Sequence, residues 1–398
     1  MRHAIRRRLH TYRLRSWVAV PCAVLLSLAL CAPRAANTTS DAPLGDWQAT
    51  MRDIFQALIT VFPVSLDAQQ FQDPAQQQRI LAALRTLAQH AEHLASHGQG
   101  VPPHLDFLRR LLASEAQTVL QRYEQAQYQA AQFALHHLTE HCFACHAKLP
   151  TPRRFVLGQR FLAEVPLASL PLKERARLAV AVRQFDTALE LYEMLFQSPA
   201  ITAGELGLMG AFEDYLKIVV RVHNDVGRAL RTLETFRQRP DVPFYLTEYL
   251  GSWVSALKEV SAIAAPDDIL PYARTLIREG QQRNRFPADR LGLVHFVVAS
   301  GLLHRYVDTR TVTGTPLAEA YYLLGVAESH ISRTLWMPET EFFLETAIRL
   351  APQSVHARKA YAFLEEYILV GHTGSSGLHL PADIQARLAE LRRLVNGS

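Results

Sequence analysis

The stretch from Val119 to Pro150 reads VLQRYEQAQYQAAQFALHHLTEHCFACHAKLP, and it sets the class of fold. Apolar residues recur in it at three- and four-residue steps, which is the spacing of one face of an α-helix. Pro150 and Pro152 then stop the pattern, because proline has no backbone N–H and disfavours helix in the residue before it. The sequence therefore predicts a helical run that ends at Cys142-Phe143-Ala144-Cys145-His146, with no alternating β pattern nearby.

The same periodicity predicts three more helices upstream, from about Trp47 onward. Asp73-Pro74 begins the second helix, which ends near Gly98-Gln99-Gly100, and Pro102-Pro103 begins the third. From there either one bent helix or two consecutive helices run on to the cysteine motif, and we expect the bend or break near Ala113-Ser114. Four helices in about 100 residues give a compact all-α unit.

The cysteines fall into two groups. Cys22 and Cys31 lie within the first 36 residues, and Cys142 and Cys145 lie three residues apart much further along the chain. Such a pair first suggests a disulfide if the chain is exported, as the first 36 residues predict below. A thioredoxin-type redox pair would need a βαβ setting, and zinc would need four ligands where the sequence offers a single Cys-x-x-Cys knuckle. A disulfide and a metal knuckle therefore remain as alternatives.

A haem attachment site accounts for the two cysteines and the histidine of the motif together. Two thiols on one helical turn point the same way and can add to the two vinyl groups of one haem edge. The imidazole of the next residue is then held beneath the iron. We therefore expect Cys142 and Cys145 to carry one covalent haem c, with His146 as the proximal iron ligand.

The first 36 residues have the anatomy of a signal peptide. An arginine-rich segment, Met1–Arg15, precedes an apolar run, Trp17–Ala32, that is short for a bilayer-spanning helix. Cleavage after Ala32 or Ala36 is expected, and acylation of Cys31 or an uncleaved membrane anchor are alternatives. The body of the chain is therefore predicted to be periplasmic, with membrane association only through such an anchor or lipid.

The excess of positive charge belongs to this leader. The whole chain has 42 Lys+Arg and 37 Asp+Glu, but residues 1–36 hold seven arginines and no acid. The remainder has 35 basic and 37 acidic residues, a net charge of −2. This balance argues against a nucleic-acid partner.

The predicted four-helix unit resembles cytochrome c′ and the related four-helix-bundle cytochromes. The resemblance rests on Cys142-Phe143-Ala144-Cys145-His146 near the end of the last helix and on Met51-Arg52-Asp53-Ile54 opening the first. It implies a haem-binding bundle over residues 42–155, in which a first-helix residue lies over the distal face of the haem. Met51 is the matching position.

The sixth iron ligand is open at this stage. Met51 could ligate through its thioether, or pack as a core residue and leave the iron five-coordinate. A histidine is the remaining alternative, from the set His90, His93, His97, His136, His137 and His141. Behind the motif, Lys148, Arg153 and Arg154 could pair with the haem propionates, or form a solvated charge cluster.

Residues 165–398 are predicted to form tetratricopeptide-like (TPR-like) helical repeats. Two units share a 41-residue register, with Ala188 matching Ala229. A third unit resembles a tetratricopeptide repeat through Leu324-Gly325, Ala347 and Pro352, and it departs from the family by an insertion around residues 330–336. A terminal helix over Leu380–Val395 is expected to cap the stack.

These features predict a periplasmic electron carrier with one covalent haem, whose helical repeats dock a redox protein or another periplasmic protein. A five-coordinate protein that binds nitric oxide or carbon monoxide is one alternative. A repeat scaffold or assembly protein with an accessory haem is another. We expect no enzymatic activity, since no distal acid–base pair, Ser/His/Asp set or paired-carboxylate motif stands out.

Overall fold

The computed structural model of the chain describes residues 44–96, 103–148, 156–164, 167–261, 268–286, 289–309, 312–331, 339–375 and 377–397. Nearly all of these residues lie in helices. In the described ranges, the strands are limited to the short antiparallel ribbon of β1 (Thr373–Gly374) and β2 (Gly377–Leu378). The prediction of an all-α fold is confirmed. No helix in these ranges combines the length and apolarity needed to cross a membrane.

The first five helices, called the N-terminal helices below, precede or contain the cysteine motif. They are α1 (Leu44–Ser65), α2 (Ala68–Gln72), α3 (Gln77–Ser96), α4 (Pro103–Glu124) and α5 (Tyr128–His146). Asp67 caps α2, because its carboxylate accepts hydrogen bonds from the N–H groups of Gln69 and Gln70. The motif occupies the last turn of α5, as the sequence predicts.

The helix break before the motif lies at residues 125–127, and the break expected near Ala113 and Ser114 is wrong. α4 runs through both residues, since neither interrupts the backbone hydrogen bonds of a helix. Ala126 instead takes a left-handed conformation with φ of 59°. The N–H groups of Ala126 and Gln127 donate to carbonyls in the last turn of α4, at 3.0 and 2.9 Å, and so close that helix. α4 and α5 therefore form a hairpin.

One apolar core joins α1, α3, α4 and α5, with Phe71 of α2 added. Each helix contributes a stripe at three- and four-residue spacing, as expected for amphipathic helices that bury one side. The fully buried members include Val61, Leu84, Leu87, Ala116, Val119, Ala131, Leu135 and Leu138.

The remaining helices, called the C-terminal helices below, follow in chain order. They are α6 (Val156–Glu164), α7 (Leu172–Ala181), α8 (Phe185–Gln197), α9 (Ala203–Leu208), α10 (Ala211–Leu216), α11 (Val226–Phe236), α12 (Phe244–Ser261), α13 (Ile269–Arg283), α14 (Leu293–Asp308), α15 (Gly314–Ile331), α16 (Glu339–Leu350), α17 (Val355–Gly371) and α18 (Ala382–Asn396). A 3₁₀ turn (Leu167–Ser169) precedes α7, and α10 continues as a π-helical segment (Lys217–Val222).

Helices α13 to α17 each pack against the next one in the chain. α15 and α16 approach closely at Gly325, where an added β-carbon would stand 2.6 Å from Cγ of Leu344. Glycine is therefore required at that crossing. Ala347 of α16 is also fully buried. α18 packs on α16 and α17, so the predicted terminal helix is present.

α5 belongs to two apolar cores. Leu135 and Leu138 lie in the core of the N-terminal helices, whereas Phe143 and Ala147 lie in the large core of the C-terminal helices. A third, smaller cluster joins α1 to α6 and α7 around Phe161, which is 1% exposed. From Gly45 to Ser398 the chain contacts form one compact unit. The boundary proposed between residues 155 and 165 stays a prediction.

Candidate functional site

The two cysteines lie on the side of α5 that faces the core of the N-terminal helices. With 3.6 residues per turn, Cys142 and Cys145 continue the buried stripe of Leu135 and Leu138 toward the end of the helix. His146 lies within about 100° of arc from both cysteines. The three side chains therefore project from one sector of the last turn.

Contacts between helices show which other segments lie at this end. Arg122 Nη1 of α4 donates to the carbonyl of Ala130 in α5, at 3.4 Å, so the hairpin is antiparallel and α4 begins beside the motif. At the far end, Gln132 Nε2 donates to the carbonyl of Ser65, the last residue of α1, at 2.5 Å. The starts of α1 and α4 thus share one end of the N-terminal helices with the motif.

Cys142 and Cys145 are half-buried free thiols. Burial, which disfavours the thiolate, is the main cause that raises the pKa of Cys142 to about 12 and that of Cys145 to about 11. Both thiols are therefore protonated at neutral pH. A redox-active pair needs a thiolate with a lowered pKa, so these values argue against the thioredoxin-type alternative.

His146 is a buried neutral imidazole. Burial, with a smaller contribution from the positive charge of Arg183, lowers its pKa to about 4, against the opposing effect of the carbonyls of Val180 and Ala181. Nδ1 of His146 has no hydrogen-bond partner among the described residues. A metal-binding histidine commonly directs one ring nitrogen to the metal and the other to a backbone carbonyl, and His146 has the groups for both contacts.

Met51 is partly buried and packs against the core of the N-terminal helices. It lies one turn after Trp47, whose ring is 4.7 Å from the guanidinium of Arg109 near the start of α4. Met51 is therefore at the same end of the N-terminal helices as Cys142–His146. Two other predicted features, the propionate partners Arg153 and Arg154 and the signal peptide of residues 1–36, lie outside the described residues.

Lys148 does not belong to a solvated charge cluster, because its side chain is buried in an ion pair. Its side chain is 4% exposed and its Nζ lies 2.5 Å from Oε2 of Glu339 in α16. Since a buried ion pair is costly to break, Lys148 is poorly suited to hold a propionate. Its contact instead joins the end of α5 to the C-terminal helices.

A charged cleft of about 170 Å³ lies on the other side of α5 from the cysteines, bordered by Phe143, Ala144 and Lys148. Arg221 is its central cation, 4% exposed. Its Nε donates to the carbonyl of Ala147 at 3.1 Å, and its Nη1 donates to Oγ of Ser300 at 2.9 Å and to Oε1 of Glu328 at 2.8 Å. The last turn of α5 is thus tied to the C-terminal helices through Arg221.

The ion pair with Arg221 determines the charge of Glu328. Burial alone would raise the pKa of this carboxyl, but the positive charges of Lys148 and Arg221 outweigh it and hold the pKa well below the ordinary value. Glu328 is therefore ionised although it is 2% exposed. Sequence reasoning missed Arg221, although a lone arginine in the apolar run Ile218–Val222 signals a buried charge.

In the described ranges, no group of three or more histidine, cysteine, aspartate and glutamate side chains is arranged to hold a metal ion by itself. Comparisons of the chain with protein-family models, with curated proteins and with solved structures find no match.

Proposed function

We propose that this protein is an exported c-type cytochrome that carries electrons through one haem c, attached at Cys142 and Cys145 and ligated by His146. The observation that carries the proposal is the convergence of two thiols and a neutral, buried imidazole on one sector of the last turn of α5. The donor set fits the group: two thiols for its vinyl carbons and one neutral, buried imidazole for its iron.

In this proposal the chain supplies attachment, orientation and exclusion of water. The α5 backbone holds the two thiols at a fixed spacing, and the carbonyls of Val180 and Ala181 orient the imidazole of His146. A bound haem supplies reversible one-electron chemistry at its iron. Burial of the motif lowers the local dielectric, which is one of the factors that set a reduction potential.

Met51 is our candidate for the sixth ligand. Its place one turn after Trp47, at the motif's end of the N-terminal helices, supports this assignment, as does its partial burial. Under this proposal the N-terminal helices are a cytochrome c′-like four-helix bundle. The C-terminal helices are then TPR-like repeats, whose close α15–α16 crossing at Gly325 is consistent with repeat stacking. They would serve to dock a periplasmic redox partner.

The test is haem attachment in the full chain, expressed with a cytochrome c maturation system. We expect haem staining that survives denaturation and an α-band in the reduced absorption spectrum. Cys142→Ala/Cys145→Ala should lose the covalent stain. His146→Gln should change the spectrum, whereas His137→Gln, on the same helix and in contact with the exposed Phe133, should not. An unstained parent protein would refute the proposal.

Adding carbon monoxide to the reduced protein separates the electron carrier from the gas-binding alternative. A low-spin six-coordinate spectrum with little CO binding supports electron transfer. High-spin ferrous iron that binds CO readily would support gas binding instead. Fractionation of cells that express the full chain tests the proposed export, because the haem-bearing protein should appear in the periplasmic or membrane fraction.

A further inference from the structure

Arg109 of α4 is a buried cation with unused hydrogen-bond donors. Its side chain is 4% exposed, its guanidinium lies over the ring of Trp47 at 4.7 Å, and its Nη2 donates to Oδ1 of Asp106 at 2.5 Å. Among the described residues, Nε and Nη1 of Arg109 have no acceptor. Burying donors of a charged group without acceptors is unfavourable, so the site is suited to an additional anion.

The charges around Arg109 point the same way. Among the residues that the structure describes, Asp106 is the one acid paired with it, and the same carboxylate also pairs with Arg110. Two guanidinium groups therefore share a single carboxylate, which leaves one net positive charge at the start of α4. Arg110 projects outward, with 66% of its side chain exposed, so water can solvate it. The positive charge that lacks both a carboxylate of its own and solvent is therefore that of the buried Arg109.

Arg109 lies level with the cysteine motif along the α4–α5 hairpin. Counting from the contact between Arg122 and Ala130, thirteen residues back along α4 lead to Arg109, and thirteen forward along α5 lead to Phe143. Phe143 stands between the two cysteines. The positive charge of Arg109 also reaches Cys145, where it slightly offsets the effect of burial on the thiol.

We propose that Arg109 is a haem-binding residue that donates a hydrogen bond from Nε or Nη1 to a propionate carboxylate, with Trp47 and Asp106 holding the guanidinium in place. The inference rests on the haem proposed above, whose propionates are its anionic groups. A charge-assisted hydrogen bond to a carboxylate satisfies one of the two buried donors and neutralises the excess charge in the same contact.

The experiment uses the full chain with covalent haem, compared with Arg109→Met and the milder Arg109→Gln. The propionate bending mode in the resonance Raman spectrum reports hydrogen bonding to these carboxylates. We expect both variants to shift this mode while haem staining persists. Arg110→Met, which changes the neighbouring exposed arginine that shares Asp106, should leave the mode unchanged. An unshifted mode in haem-bearing Arg109→Met or Arg109→Gln protein would overturn the inference.

A second measurement leaves Arg109 intact, so it does not depend on how those variants fold. The Cys142→Ala/Cys145→Ala full chain is titrated with haem and with haem dimethyl ester, which lacks the anionic carboxylates. We expect about tenfold tighter binding of the free acid, which corresponds to about 1.4 kcal/mol. Equal affinities would count against the inference. Covalent haem in the parent with no role for Arg109 overturns this inference alone, whereas a parent without haem overturns the proposed function as well.

Discussion

Replacing Arg221 with methionine would remove the cation that ties the last turn of α5 to the C-terminal helices. Methionine fills much of the volume but removes the hydrogen bonds that Arg221 donates to the carbonyl of Ala147, Oγ of Ser300 and Oε1 of Glu328. Oε1 of Glu328 keeps the hydrogen bond that the hydroxyl of Ser300 donates at 2.6 Å. Removing one partner of a buried ion pair costs about 3–5 kcal/mol, because the other charge stays buried and uncompensated. His304 Nε2 lies 3.6 Å from Glu328 and can offset part of that charge. We therefore expect a loss of about 3 kcal/mol.

The assay is urea unfolding of the full chain at pH 7, followed by circular dichroism. Arg349→Met is the matched control, because Arg349 is 44% exposed and pairs with Glu390 and Glu345 near the surface. Each of these pairs should contribute less than about 1 kcal/mol. Arg221→Met/Glu328→Gln removes both charges of the buried pair and should recover about half of the loss. Equal costs for Arg221→Met and Arg349→Met, or no recovery in the double variant, would refute this reasoning.

Three further predictions concern single residues. Gly325→Ala should lower the free energy of unfolding by about 1–3 kcal/mol, because its β-carbon would overlap Leu344. Gly251→Ala, with no atom within 4 Å of the new carbon, should stabilise its helix by up to about 1 kcal/mol. Melting temperatures that shift in the same direction in both variants would contradict this. Burial lowers the pKa of His295 to about 4, below its value in the unfolded chain. The free energy of unfolding should therefore be unaffected by this group above about pH 6.5 and fall by up to about 3 kcal/mol as the pH falls toward 4. Unfolding of His295→Leu should depend less on pH in that window, and an unchanged pH dependence would exclude His295 as a source. Met51→Leu should convert a six-coordinate ferric spectrum to five-coordinate and increase CO binding, while an unaltered spectrum would make Met51 a packing residue.

The sequence predicts local features of this chain well where a strong local signal exists. Pro150 and Pro152 marked the end of the run that carries the motif, and periodicity alone identified an all-α chain. The α4–α5 break was misplaced because Ala126 adopts a left-handed conformation with no glycine or asparagine to announce it. Ala113 and Ser114 offered a weak signal that the continuous α4 overrides.

Long-range partners of the site could not be predicted in the same way. Lys148 was read with its neighbours in the chain, but its partner Glu339 is 191 residues away. Arg109 gives no local sign of burial, because its neighbours Asp106 and Arg110 resemble an exposed helix surface. Only the hairpin register brings it level with the motif. Pairing across helices depends on packing, and no alternation or spacing within one segment encodes it.

The double burial of α5 has a consequence for the order of assembly. Leu135 and Leu138 lie in the core of the N-terminal helices, and Phe143 and Ala147 lie in the core of the C-terminal helices. Arg221 also donates a hydrogen bond to the carbonyl of Ala147 at the end of α5. If Cys142 and Cys145 carry the proposed haem, the enzyme that attaches it must reach the segment around them before both sides are covered. Haem attachment would then precede packing of the N-terminal helices against the C-terminal helices, and a chain that folded first could not be loaded.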